Sequence, residues 1–351
     1  MKALSLLRKY ARPILASLAL TAGFVFVMRV GALPVLPAEG AFGDMLWWPA
    51  AGFIAALTAS MLTKYARVHF LLAPVASIPM RRIMNISCIA MAIITLLPLR
   101  LGEMARPALL RERGKVSGWA VTATVGAERI IDGVVFGLML LAGLALAPPH
   151  EPVPDHIGGL PVPAALVPRA AVTATAVFGV ALVVMMAFYW RRALARSLTE
   201  RLIGMFSRKL ADRITNVVVR MSEGLGFLTN VRYSGPYLAV TVVSVLANVL
   251  AVRFLSVAVG IPGLDFAESS VVLGVLALGF ALPNAPGFFG AVQLALYAGL
   301  ALYVAPDMIT REGATFVFAY YVGYLFVVMS LAVGGLILEY ALPGRAEQPA
   351  S

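Results

Sequence analysis

Apolar residues fill this chain in long unbroken runs, not in the one-sided stripes of a water-soluble helix. Six runs, 12–31, 42–63, one ending near Ala147, 169–190, 236–259 and 314–340, are each long enough to span a hydrocarbon core about 30 Å thick. Two further runs, 83–97 and 269–282, stop directly against Pro98 and Pro283. Each holds about fifteen residues, or roughly 22 Å of helix, which is short of that core. The pattern predicts an all-α, polytopic transmembrane helical bundle with two broken or re-entrant helical regions.

The cations between the runs supply a direction, because Lys and Arg are retained on the cytoplasmic side. With both short segments re-entrant, the segments assigned to the cytoplasm hold 23 of the 28 Lys and Arg residues, leaving Arg29, Arg129, Arg169, Arg253 and Arg311. The segments assigned to the outside carry Glu39, Asp44, Glu151, Asp155, Asp265, Glu268, Asp307 and Glu312. A full crossing at 83–97 would put the basic stretch 100–115 outside and weaken this bias. The re-entrant arrangement in a cytoplasmic (inner) membrane, with both termini cytoplasmic, is therefore expected. The basic stretch 191–232 interleaves cations with apolar residues, and it reads equally as a helix on an anionic leaflet or as a solvated loop.

Composition narrows the class. Hydrophobic residues make up 61% and charged residues 13% of the chain, against about a quarter charged in an ordinary soluble domain. The net charge of +11 is parcelled out between apolar runs, unlike the clustered basic face of a nucleic-acid-binding protein, so no nucleic-acid partner is expected. The lone Cys88 excludes an intrachain disulfide. His69, His150 and His156 lie in or beside loops without acidic or cysteine partners at ligand spacing, so neither a metal site nor a cofactor is expected. One membrane domain over 1–345 follows, with halves of about 1–147 and 169–340 joined by the proline-rich loop 148–168, and a short tail at 346–351. The first run is read as an uncleaved helix, because the small residues Ala38 and Gly40 that would suit cleavage lie well past it.

The chemistry concentrates after the first short run. Arg100, Glu103 and Arg106 recur every three residues, followed by Glu128, Arg129 and Asp132 inside an apolar run. At the centre of a membrane helix, six unpaired charges would cost on the order of 15 to 20 kcal/mol, so they must pair or reach water. The i, i+3 spacing favours pairs within each group. Glu128 and Asp132 share a helix face and need a cation from elsewhere, for which Arg100 or Arg106 is the expected donor. Three arginines and three acids make a formally neutral network. An arginine grips phosphate with two parallel hydrogen bonds, so a lipid phosphate competing for Arg100 or Arg106 would enter without adding a buried cation. The alternative is an ion-pair lock that fixes helix register and binds nothing.

Pro98, Gly102 and Pro107 mark a helix break beside these arginines, and Pro283, Asn284, Pro286, Gly287 and Gly290 mark a second, uncharged break. Broken backbone at membrane depth is tolerated where it is buried in protein or lines a wet cavity. Paired interruptions in two halves are the sign of a midplane site between inverted repeats. Asn248 is a candidate to line that cavity, while Arg253 near it would either line the cavity or reach the outer surface. Gly133 and Gly137 form a GxxxG that suits close packing within the chain, with a homo-oligomer seam as the alternative.

The run Pro98, Arg100, Gly102, Glu103 and Arg106, then Glu128, Arg129 and Asp132, then Pro286-Gly287 to Gly290, resembles the lysylphosphatidylglycerol synthase transmembrane family of flippase-like proteins. The resemblance covers most of the chain. It implies a multi-helix membrane domain with broken helices, and an activity that binds or moves a lipid across or within the membrane. The lipid would be an anionic or aminoacylated phospholipid, or one of isoprenoid or hopanoid type. Some members carry a soluble aminoacyltransferase domain after the membrane part. With the last run ending near Tyr340, that activity is not expected here, and the chain is expected to be no enzyme. The family's second motif commonly continues to a glutamate where this chain has Gln293, which hydrogen-bonds without changing charge and stands as a second cavity candidate. The other reading is a non-transporting partner or regulator of a glycosyltransferase or lipid-synthesis enzyme.

Overall fold

A computed structural model describes residues 18–97, 102–114, 118–151, 156, 159, 166–191, 225–261, 264–281 and 285–341, all of whose regular structure is helical. The first half contains α1 (Leu18–Val30), α2 (Trp47–Ala66), α3 (Val68–Leu72), α4 (Met80–Leu96), α5 (Ala105–Gly114) and α6 (Gly118–Leu146). The second contains α7 (Leu166–Trp190), α8 (Val231–Ala258), α9 (Phe266–Gly279), α10 (Ala291–Leu300), α11 (Pro306–Ile309) and α12 (Glu312–Leu336), the last running on as a π-helix over Ile337–Ala341. Among the described residues, α6, α7, α8 and the α11–α12 segment are long and apolar enough to cross a bilayer, as an integral membrane protein requires. Valines 172, 177, 180, 183 and 184 stand exposed along α7, which suits a helix facing lipid tails.

The expected span at 236–259 starts earlier than its apolar run, because Asn230 caps α8 by accepting a hydrogen bond from the Arg232 backbone N–H at 3.1 Å. Pro236 is then carried inside the helix. Asp265 and Glu268 form a reciprocal capping box that starts α9. Pro107 occupies the third residue of α5, where its missing N–H is one the helix would leave without an internal partner, so it opens the helix after the break. The residues at the breaks themselves, Pro98, Arg100, Pro283 and Asn284, lie outside the described residues.

Both short regions are antiparallel hairpins. Gly102 lies on the backbone of Ile93 and Ile94, folding the chain back along α4. In the second half, Gly279 meets Ala291 and Ala295 while Gly299 meets Val272, so α10 runs back along α9. Fourteen residues of α9 reach about 21 Å, less than a full crossing. Gly287 and Gly290 turn the second hairpin with φ of 73° and 84°, values that glycine adopts without penalty.

The halves meet along α2 and α8, which run antiparallel: Leu46 bonds Ala258, Gly52 packs on Phe254, and Ser60 faces Ser244. That serine contact is reciprocal, each hydroxyl donating to the other residue's carbonyl at 2.8 and 2.9 Å. The separation of 184 residues between the serines carries α4 onto α9 and α5 onto α10 to within two residues. Pro98 and Gly102 recur as Pro283 and Gly287 with the same spacing. Packing is exchanged between halves: α4 lies against α12, with Gly335 on Asn85 and Cys88, and α9 lies against α6, with Gly143 on Ser270 and Gly274 on Leu140. Equivalent helices that run antiparallel, with mutual exchange of partners, make an inverted repeat.

Gly133 and Gly137 admit Phe178 and Thr175 of α7, so this motif packs helices within the chain. Gly102 has no room for a methyl group against the α4 backbone, whereas Gly126 on α6 has open space around it. Gly102→Ala should destabilise the protein by about 1 to 3 kcal/mol through overpacking. Gly126→Ala should be neutral or stabilising by up to about 1 kcal/mol. Thermal unfolding of the two variants in detergent measures the contrast, and equal melting temperatures would refute the close approach.

Candidate functional site

The site begins with a residue counted among the loop cations in the charge pattern. Arg67 sits in helical geometry between α2 and α3, its backbone N–H bonded to Thr63, and it is 1% exposed. Its position at the carboxyl end of α2 suits a cation, since the last carbonyls there carry partial negative charge. The guanidinium grips Asp132 with two contacts of 2.6 and 2.7 Å and reaches Glu128 at 3.1 Å. It also donates to Thr241 at 3.0 Å and lies 5.2 Å from the ring centroid of Tyr237.

Arg67 thus occupies the face on which α6 presents Glu128 and Asp132 one turn apart. Arg106, brought in at the start of α5, takes the other oxygen of Glu128 at 2.5 Å. Both ends of that pair are nearly inaccessible, with side chains 5% and 1% exposed. Arg129 points away from this face and approaches Glu103 at 3.8 Å, and Lys64 stands 3.9 Å from Asp132. Removal of one partner from such a buried set leaves a charge in a low-dielectric interior, which costs far more than an exposed pair yields.

Among the described residues these ion pairs run between the groups: Arg106 is the cation expected for Glu128, whereas Arg67 is one the spacing does not offer. Glu103 faces Arg129, Arg106 faces Glu128, and Asp132 faces Arg67. Arg100 lies outside the described residues. Nor is the described cluster neutral. It contains Lys64, Arg67, Arg106 and Arg129 against Glu103, Glu128 and Asp132, one cation in excess. The sequence did hold a signal for Arg67, since Val68, Phe70, Leu71 and Leu72 follow it at once, which is poor loop composition. Val68, Leu71 and Leu72 indeed pack with Ile83, Leu110, Ile131, Phe227 and Tyr237 into a second apolar cluster on this side.

A cavity of about 320 Å³ opens beside the network. Lys64, Glu103, Arg129 and Asp132 line its charged end, whereas Arg67, Arg106 and Glu128 are withdrawn from it. Apart from Ser60 and Asn248, the remaining wall is apolar and aromatic, including Met61, Phe136, Leu140, Phe178, Leu273 and Tyr320. Phe280 and Phe288 of the second hairpin and Tyr324 of α12 close it, with Phe280 and Phe288 edge to face at 5.0 Å. Phe288 holds φ at 58°, a left-handed conformation that costs a residue with a side chain about 1 to 2 kcal/mol. Asn248 lines the cavity, and its side-chain oxygen is buried with no hydrogen-bond partner among the described residues.

The other candidates have backbone roles. Gln293, 3% exposed, accepts a hydrogen bond from the Gly290 N–H at 2.7 Å and so steadies the start of α10. Gly290 itself leaves room for Phe24 of α1. Arg253 donates to the Leu264 carbonyl, closing the connection from α8 to α9.

Arg67→Met should destabilise the protein by about 3 to 5 kcal/mol, because Glu128 and Asp132 lose a shared buried cation. Adding Asp132→Asn should restore part of that loss. The check is a double-mutant cycle on thermal unfolding in detergent, and additive effects would show that the two side chains do not interact.

No curated protein and no solved structure matches the chain. A family model described as the lysylphosphatidylglycerol synthase TM region matches residues 14–332, which takes in both hairpins, the whole ion network and the cavity between them. With most of its length inside that match, the chain belongs to the family of the lysylphosphatidylglycerol synthase transmembrane region.

Proposed function

We propose that this protein binds a lipid in the cavity between its two hairpins and moves it between leaflets of the cytoplasmic membrane, acting as a flippase-like transporter and not as an enzyme. The observation that carries this reading is the division of the cavity into a charged end and an aromatic, aliphatic remainder. An amphiphile has the same division. Its headgroup requires polar partners that a bilayer interior does not supply, and its chains require apolar walls. The charged end presents two cations, Lys64 and Arg129, that can meet the anionic oxygens of a headgroup.

The inverted repeat supports the movement. Two halves of opposite orientation, packed along α2 and α8, can rock about that seam and expose a shared site first to one side and then to the other. Family membership supports the general setting of lipid metabolism or transport in a membrane. On the charge-derived orientation, both termini face the cytoplasm.

Ala277 lines the apolar part of the cavity, where a large ring would take the space of an acyl chain. In vesicles reconstituted with the protein and fluorescent phospholipids, the unmodified protein should accelerate exchange between leaflets, and Ala277→Trp should fall to the level of protein-free vesicles while still folding. A protein that moves no anionic, zwitterionic, isoprenoid-linked or hopanoid-type lipid would defeat this reading.

A further inference from the structure

The four cations of the network are not equivalent. Arg67 is held by Asp132 through two contacts and by Glu128 through a third, and Arg106 is held by Glu128. Their side chains are 2% and 5% exposed, and neither lines the cavity. An incoming headgroup would have to strip them from buried carboxylates before touching them, leaving those carboxylates without partners.

Lys64 and Arg129 differ in both respects. Each lines the charged end of the cavity, and their side chains are 30% and 31% exposed. Lys64 stands 3.9 Å from an Asp132 that Arg67 already satisfies at 2.6 and 2.7 Å, so Asp132 keeps its main partner when Lys64 turns away. Arg129 meets Glu103 only at 3.8 Å, longer than a hydrogen bond. One ammonium and one guanidinium, on α2 and α6, therefore face a common space in which their own carboxylates hold them loosely.

We propose that Lys64 and Arg129 are the residues that take the phosphate of the bound amphiphile, while Arg67 and Arg106 hold the carboxylates and do not touch it. The proposal rests on the lipid-binding reading above and deepens it. A tetrahedral phosphate offers oxygens in several directions, so it suits two cations on different helices: Arg129 supplies a planar fork and Lys64 a movable point charge. The aromatic wall between the hairpins receives the chains.

The test uses purified full-length protein and two lipids that differ only by a phosphate, dioleoyl phosphatidic acid and dioleoylglycerol, with binding read by native mass spectrometry and by competition in detergent. Phosphatidic acid should be retained and dioleoylglycerol not. Lys64→Gln should weaken phosphatidic acid at least about tenfold, as loss of a charge-assisted contact does, and Lys64→Arg should stay within about threefold. Arg129→Gln, on a different helix, should show the same loss and serves should K64Q fail to fold. Full phosphatidic acid binding by both K64Q and R129Q would overturn the assignment and leave the lipid reading standing. Equal binding of the two lipids would also overturn it. Complete displacement of phosphatidic acid by millimolar inorganic phosphate would give the site to a free anion and overturn the lipid as its source. An unmodified protein that binds neither lipid would sink both readings together.

Discussion

A guanidinium buried between two carboxylates is tolerable only when every one of its partners stays in place, and Arg67 carries that constraint for the first half of this protein. Glu128 and Asp132 repel one another across a turn of α6, and among the described residues Arg67 is the one cation that contacts both at 3.1 Å or less. The contact joins the α2–α3 junction to α6, and through Thr241 and Tyr237 to α8. Arg106 adds α5 to the same point. Four separate segments are thus registered by charge, in a medium where apolar packing alone discriminates weakly between helix registers.

The inverted repeat makes this charge arrangement informative, because the two halves share a backbone plan and differ in chemistry. Both contain a short helix packed on the other half's long closing helix, then a glycine-assisted turn and a returning helix. At the same offset that aligns Gly102 with Gly287, Glu103 and Arg106 of the first hairpin give way to Phe288 and Ala291 of the second. At the cavity the first hairpin contributes the carboxylate of Glu103 and the second the rings of Phe280 and Phe288, while Lys64, Arg129 and Asp132 come from α2 and α6. A symmetric backbone with an asymmetric lining makes a chamber suited to a molecule with one polar end.

The network also separates structural charge from accessible charge. Ions fully enclosed by partners fix geometry at a desolvation cost that their mutual attraction must offset. Lys64 and Arg129 at the cavity wall keep looser partners and some contact with the open space. Proximity in sequence does not distinguish them: Glu128 and Arg129 are neighbours, yet one is sealed in the network and the other faces the cavity. Helical geometry separates them by about 100° around the axis.

By itself, the sequence determined the membrane class, the helical architecture, the existence of two interrupted regions and the gathering of charge near the first, because these follow from local quantities: run length, proline and glycine positions, and the cost of an ion in hydrocarbon. It also contained the Pro and Gly spacing common to the breaks, too slight a match to be recognised without the fold. Only the tertiary structure decided which ions meet. Spacing along a helix proposes neighbours three or four residues away, whereas Asp132 found Arg67 and Glu103 found Arg129 across helices. Pairing between segments depends on how they are brought together in space, a long-range property that a one-dimensional pattern of charges does not encode.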